Sequence, residues 1–205
     1  MHGEELTPWL LRYGYERGAF PMTMDDGQVE WFRPFRRALF PIEGIKLSRS
    51  MRKVVSKVQF GERNGAHFGV TFNRQFEQVM RNCLRPDENW ISEHFIRAYT
   101  ACHFEGWGHS VEVWRSGKLV GGLYGLAIGS IFCAESMFHR ETNASKVALW
   151  AMVDRCREAG FTLFDAQIMN PHLKSLGAYE IGDYAYLQLL EKAKSHQIDF
   201  DRIMQ

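Results

Sequence analysis

The stretch "HSVEVWRSGKLVGGLYGLAIGSIFCAESMF", residues 109–138, decides the fold. Residues 109–115 alternate apolar and polar side chains, the period of a strand with one covered face. Ser116-Gly117 then supplies a two-residue hairpin turn into "KLVGGLYGLAIG". "SIFCAESMF" (130–138) adds a third strand, so the stretch predicts an antiparallel meander. Gly121, Gly122, Gly125 and Gly129 sit inside this strand pattern. Glycine there marks a bulge or the close approach of another group, a ligand included. No G-x-G-x-x-G opens a helix here, so a phosphate-binding loop is not expected.

Helical patterns lie on both sides of the meander. Residues 73–85 place Phe76, Val79, Met80 and Cys83 at helical spacing, and residues 92–106 repeat the pattern. "NASKVALWAMVDRCREAG" (143–160) is the clearest helix: Asn143 is a candidate cap, Ala148, Leu149, Met152, Val153 and Cys156 form its buried stripe, and Gly160 ends it. "FTLFDAQ" (161–167) reads as a buried strand and "DYAYLQLLEKAKSH" as a last helix. Upstream, residues 7–18 form a short helix with Thr7 as cap and Pro8 in the first turn. Turn signals and three prolines over residues 19–41 predict a small irregular unit with short strands. The basic run 48–60 reads as helix passing into strand. The expected class is mixed α/β (α+β) around one central mixed sheet flanked by helices. A soft boundary near residue 43 gives a small N-terminal domain, 1–43, and a main domain, 44–205.

With 205 residues, 45% hydrophobic and 24% charged, the chain reads as soluble and globular. No apolar run reaches membrane-spanning length and no secretory signal is evident, so a cytoplasmic protein without a membrane partner is expected. Cys83, Cys102, Cys133 and Cys156 are far apart and form no C-x-x-C pair, so neither a metal site nor a cofactor is expected. Net charge is +1, but residues 31–60 carry Arg33, Arg36, Arg37, Lys46, Arg49, Arg52, Lys53 and Lys57 against Glu43 alone. One basic block in a nearly neutral chain points to a polyanion partner on one face, or to a solvated surface.

Three polar side chains stand in apolar strands: Glu135 in "FCAESMF", and Asp165 and Gln167 in "LFDAQ". A carboxylate in such a place must be paired, hydrogen-bonded or functional. Asp165 and Gln167 are two apart, which on a regular strand sends both side chains to one side.

Taken in order, "VGGLYG…ESMF…ASK…PHLKSLGA", with "LLRYGYERGAFPM", "SRSMRK" and "NWIS" upstream, closely resembles the leucyl/phenylalanyl-tRNA–protein transferases from about residue 3 to about residue 190. The resemblance implies a GNAT-like domain behind a small N-terminal domain. It implies transfer of Leu, Phe and, less well, Met from aminoacyl-tRNA to the N-terminal Arg or Lys of acceptor proteins. That marks them for N-degron proteolysis, and a monomer is expected to do it. The family's usual D-C-Q reads D-A-Q here, so a thiol at position 166 is not needed. By resemblance Glu135 is a substrate-site glutamate, and Leu123, Met137, Leu149 and Phe164 surround the donor side chain. Trp90, Tyr99 and Tyr15 lie near the terminal adenosine, where a ring could stack a base. The block from Arg33 to Lys57 is expected to hold acceptor-stem phosphates.

An amide has no useful basicity, so Gln167 serves as a hydrogen-bonding group for the attacking amine. Asp165 either orients that amide or takes the proton itself, and a route through the leaving ribose hydroxyl stays open. A related tRNA-dependent transferase acting on acidic N-termini or a peptidoglycan precursor is the nearest alternative. A non-catalytic tRNA-binding protein is the alternative from another class. An acetyl-CoA enzyme is disfavoured by the lack of a Q/R-x-x-G-x-G/A loop.

Overall fold

The computed structural model describes residues 6–24, 26–61, 67–85 and 91–201. Their elements run α1 (Pro8–Tyr15), β1 (Phe20–Thr23), β2 (Val29–Phe32), β3 (Arg36–Phe40), α2 (Arg49–Val55), β4 (Gln59–Phe60), β5 (Gly69–Phe72), α3 (Phe76–Asn82), α4 (Glu93–Phe104), β6 (Gly108–Arg115), β7 (Lys118–Ile128) and β8 (Ile131–His139). After these come α5 (Ala144–Ala159), β9 (Leu163–Gln167), α6 (Pro171–Ser175), β10 (Tyr179–Gly182) and α7 (Asp183–Lys194). The class is the mixed α/β expected. An eight-stranded mixed sheet has the order β10-β3-β9-β8-β7-β6-β5-β4, and β1 and β2 form a separate hairpin.

The meander is β6, β7 and β8. Its first turn holds because Ser116 and Gly117 both take positive φ, 50° and 72°, as a two-residue hairpin of this hand requires. The glycines of β7 answer to protein rather than to a ligand. A Cβ at Gly125 would overlap the Cys133 carbonyl, and one at Gly121 would run into Ala144 of α5. Alternate strand residues feed two cores on opposite faces. Leu39, Tyr124 and Cys133 join Tyr15, Phe95, Tyr99 and Tyr186 on one face. Phe40, Leu123, Phe132 and Phe164 join α5 on the other.

Local signals explain several helix ends. Thr7 Oγ1 accepts from the Leu10 N–H at 3.2 Å, with Pro8 at the first turn of α1. Gly160 ends α5 at φ 91°, where the Phe161 N–H reaches the Cys156 carbonyl. Asn143 is a correction: it precedes α5 but sits at φ 71°, and its side chain makes no capping hydrogen bond. Strand pairing also reaches across residue 43, where a soft boundary was expected. β3 lies inside the main sheet between β10 and β9, so on pairing alone the main sheet begins at Arg36.

Two irregularities prepare the site. β8 and β9 run parallel over Ile131–Cys133 and Leu163–Asp165. Beyond that, β8 continues against β7, and Gln167 pairs with Ala38 of β3. On β8, Ala134 pairs with Gly125 and Ser136 with Tyr124, leaving Glu135 as the extra residue of a bulge. On β9, Asp165 pairs with Leu39 and Gln167 with Ala38, leaving Ala166 as the extra residue of a second bulge. The two strands part, and both bulges re-aim side chains toward the gap.

Candidate active site

The gap between β8 and β9 is a cleft of about 210 Å³. Phe40, Leu123, Met137, Leu149, Phe164 and Leu173 give it an apolar wall, and Glu135, Ser136, Gln167 and Asn170 give it a polar end. All four apolar residues expected around a donor side chain, Leu123, Met137, Leu149 and Phe164, line this one space.

Gln167 has φ 60°, an unusual backbone for a residue with a Cβ. Its Nε2 donates to Glu135 Oε1 at 3.0 Å. An ionised carboxylate only accepts, so the amide nitrogen must face it and the carbonyl oxygen remains for another donor. The Tyr99 hydroxyl donates to Glu135 Oε2 at 3.4 Å, and the Tyr15 and Tyr99 oxygens lie 2.7 Å apart. Glu135 is half-buried. Burial pushes its carboxyl up to about 7, hydrogen bonds from Tyr15 and Gln167 pull the other way, and the Asp165 charge raises it further.

Asp165 is fully buried and answers to different partners. Arg37 Nε lies 2.9 Å from its Oδ1, and Arg37 Nη2 donates to Oδ2 at 2.6 Å, a forked ion pair. The Tyr186 hydroxyl donates to Oδ2 at 2.8 Å, and the Gln167 backbone N–H donates to Oδ1 at 2.8 Å. Arg37 Nη1 donates to the Gly18 carbonyl, and its guanidinium lies over the rings of Phe20 and Tyr186. Three expectations change. Asp165 is saturated with donors and sealed, so it is not placed to take a proton from a substrate. It does not hold the Gln167 side chain, which Glu135 holds; it holds the Gln167 main chain in its left-handed turn. Arg37 is 1% exposed and paired, so it offers nothing to a phosphate.

The family model described as leucyl/phenylalanyl-tRNA protein transferase matches residues 39–191, and the model of that family's N-terminal domain matches residues 4–34. The chain belongs to the leucyl/phenylalanyl-tRNA–protein transferase family. It is therefore an aminoacyltransferase of a kind that uses aminoacyl-tRNA and protein acceptors. A leucyl/phenylalanyl-tRNA–protein transferase of Herpetosiphon aurantiacus is 44% identical over 93% of this chain and 95% of its own length. One of Ruegeria pomeroyi is 42% identical over 98% of this chain and 92% of its own. Among solved structures, the C-terminal domain of an Agrobacterium fabrum protein is similar at TM-score 0.43 and 17% identity, over 82% of this chain and 55% of that one.

Other residues expected to serve this transferase chemistry are placed differently from one another. Tyr15 and Tyr99 are fully buried, and Tyr99 is flanked by Phe95 and Tyr124, so neither ring has a face for a base. They support Glu135 instead. Trp90 lies outside the described residues. Lys46, Arg49, Arg52, Lys53 and Lys57 are exposed on α2 and its flanks. Arg33 and Arg36 are exposed too, facing Asp183 at 3.4 Å and Glu180 at 3.5 Å. Arg85, Ile168, Asn170 and Leu173, none of them expected at a site, also line the cleft. Asn170 carried a usable signal, Asn-Pro before a short helix, and its Oδ1 accepts from the Leu173 N–H at 2.9 Å. Among the described residues no group of side chains could hold a metal ion, and no helix is long and apolar enough to cross a membrane.

Proposed function

We propose that the cleft holds the side chain of Leu, Phe or, less well, Met esterified to tRNA. Its polar end joins that residue to the N-terminal Arg or Lys of an acceptor, as a cytoplasmic monomer marking proteins for N-degron proteolysis. The observation that carries this reading is the Glu135–Gln167 hydrogen bond at the polar end of an apolar cleft. Burial of a Leu- or Phe-sized side chain supplies about 1.5–3 kcal/mol of binding. Met137 gives the wall a flexible element that adapts to either shape; Val and Ile, whose bulk begins at Cβ, would be disfavoured if the entry is narrow.

The reaction is aminolysis of an activated ester. The acceptor nitrogen attacks the carbonyl carbon, the bond from that carbon to the ribose oxygen breaks, nitrogen loses a proton and the ribose oxygen gains one. A peptide α-amine has a pKa of about 7.7–8.0, so a neutral fraction exists without a strong base. Gln167 contributes its free carbonyl oxygen, which accepts a hydrogen bond from the attacking N–H and fixes its approach. Glu135 holds the Gln167 amide and offers a carboxylate to the donor's ammonium group. With Asp165 sealed, the proton's exit runs through Glu135 or the leaving ribose oxygen. The exposed cations of α2 and its flanks suit acceptor-stem phosphates, which makes binding fall steeply with salt.

The test is incubation with radiolabelled Leu-tRNA or Phe-tRNA and peptides beginning with Arg, Lys, Asp or Glu. Label should enter the Arg and Lys peptides. Label only in the Asp and Glu peptides, or in none, would overturn the reading.

A further inference from the structure

A second hollow, of about 320 Å³, adjoins the acyl cleft and shares Arg85 and Met137 with it. Its wall brings together Arg85, His139, Lys146 and His172 from four separate parts of the chain, with Ser145 beside them. Arg85 follows α3, His139 ends β8, Lys146 lies in the first turn of α5 and His172 in the first turn of α6. No acidic residue is among the described residues that line it. The nearby Glu141 is tied to Arg115 at 2.6 Å. Burial, then the charges of Lys146 and His139, push the His172 pKa down, which leaves a neutral imidazole able to donate an N–H.

Lys146 brings a positive charge to a concavity whose described lining holds no acid, and an anion seated there gains from it. The start of α5 does not oppose this, since its first turn carries no acid and Asn143 makes no capping bond. The chemistry of the anion follows from the neighbouring cleft. In an aminoacyl-tRNA the ester lies on the last ribose, and the nearest phosphate, which joins the last two nucleotides, is one sugar ring away. The hollow shares Arg85 and Met137 with the cleft, so an acyl group in the cleft with its ester turned toward the hollow would bring that phosphate to it. The acceptor proposed above begins with a cation, which this surface repels.

We propose that this hollow is a subsite for the 3′-terminal phosphodiester of the aminoacyl-tRNA, with Lys146 and His172 as its principal ligands. The proposal rests on the aminoacyl-tRNA donor reading and adds to it a site separate from the α2 cations. The experiment compares two small donors, the phenylalanyl ester of the dinucleotide CpA and that of adenosine, which lacks the phosphate. It measures kcat/KM for transfer to an Arg-starting peptide. Lys146→Ala should lower the CpA-to-adenosine ratio about tenfold or more, His172→Ala should lower it less, and Lys146→Arg should restore most of it. A ratio in Lys146→Ala equal to that of the wild type overturns the subsite, as does a loss that follows acidic residues in the acceptor rather than the donor's phosphate. Melting curves of the variants identify misfolding, which lowers transfer from both donors together and leaves their ratio readable. Failure of the wild type with both small donors and with Phe-tRNA would instead sink the transferase reading.

Discussion

Two carboxylates stand on adjacent strands and have opposite environments. Asp165 meets a forked guanidinium, a phenol and a backbone N–H, and no solvent. Glu135, raised out of register by a bulge, meets only neutral donors and lines the cleft. The first is neutralised by the protein's own cation, so its charge goes into tying β9 to β3 and, through Gly18, to the N-terminal segment. The second bonds to neutral groups, Gln167 and Tyr99, and faces the cleft, which is why we propose it for a cationic substrate group. Proximity on the sheet therefore does not make a catalytic pair; the partners of each group decide its role.

The largest effect should come from breaking the balanced pair. Asp165→Ala leaves the Arg37 charge buried and unpaired, and we expect a loss of about 3–5 kcal/mol of stability, read from urea unfolding. A melt equal to that of the wild type, with transfer abolished, would instead make Asp165 a substrate group and erase the contrast.

The next effect concerns the cleft-facing carboxylate and pH. Burial raises its pKa to about 7, so in the folded protein it gains a proton as pH falls below 7 and can no longer pair with the donor's ammonium. Transfer at limiting donor should fall on that acid limb, and Glu135→Gln should be slow at all pH values without a limb near 7. The sign for stability is the reverse of the usual carboxylate case. The folded state holds the proton above the unfolded value of 4.5, so this group's contribution declines as pH rises from 4.5 through about 7. A limb that persists unchanged in Glu135→Gln belongs to some other group.

The reach of the sequence follows the same division. Glu135 and Gln167 stood out because a polar side chain in an apolar strand demands a reason, and that signal is local. Arg37 gave no such signal. Counted along the chain it joins a basic run, while its partner lies 128 positions away. β3 was hidden for a related reason, since its partners β9 and β10 come from the far end of the chain. Period-two spacing suggested a side-by-side role for Asp165 and Gln167, and the extra residue Ala166 broke that period. Tyr15 and Tyr99 were legible as aromatics, but residue type does not reveal whether a ring face is open. α5 and the β6–β7 hairpin were legible because cap, stop and turn residues act within a few positions.

A smaller effect should sharpen the apolar half of the cleft. Met137 is partly exposed and lines both hollows, so Met137→Ala enlarges the wall with limited damage to the core. It should shift preference from Leu toward Phe by about 1–3 kcal/mol, measured as the ratio of kcat/KM for the two donors. An unchanged ratio would remove Met137 from the selection of the donor.

The most direct test sets the two sides of the contrast against each other. Single-turnover transfer and urea unfolding are measured on Gln167→Ala and Asp165→Asn, with aminoacyl-tRNA saturating. Gln167→Ala should unfold close to the wild type and transfer about 10–100-fold more slowly, the loss of one hydrogen bond at the attacking nitrogen. Asp165→Asn should lose stability, and its transfer should recover as stabilising conditions restore the fold. Full-rate transfer by Gln167→Ala, or a fully stable Asp165→Asn without transfer, would contradict the account.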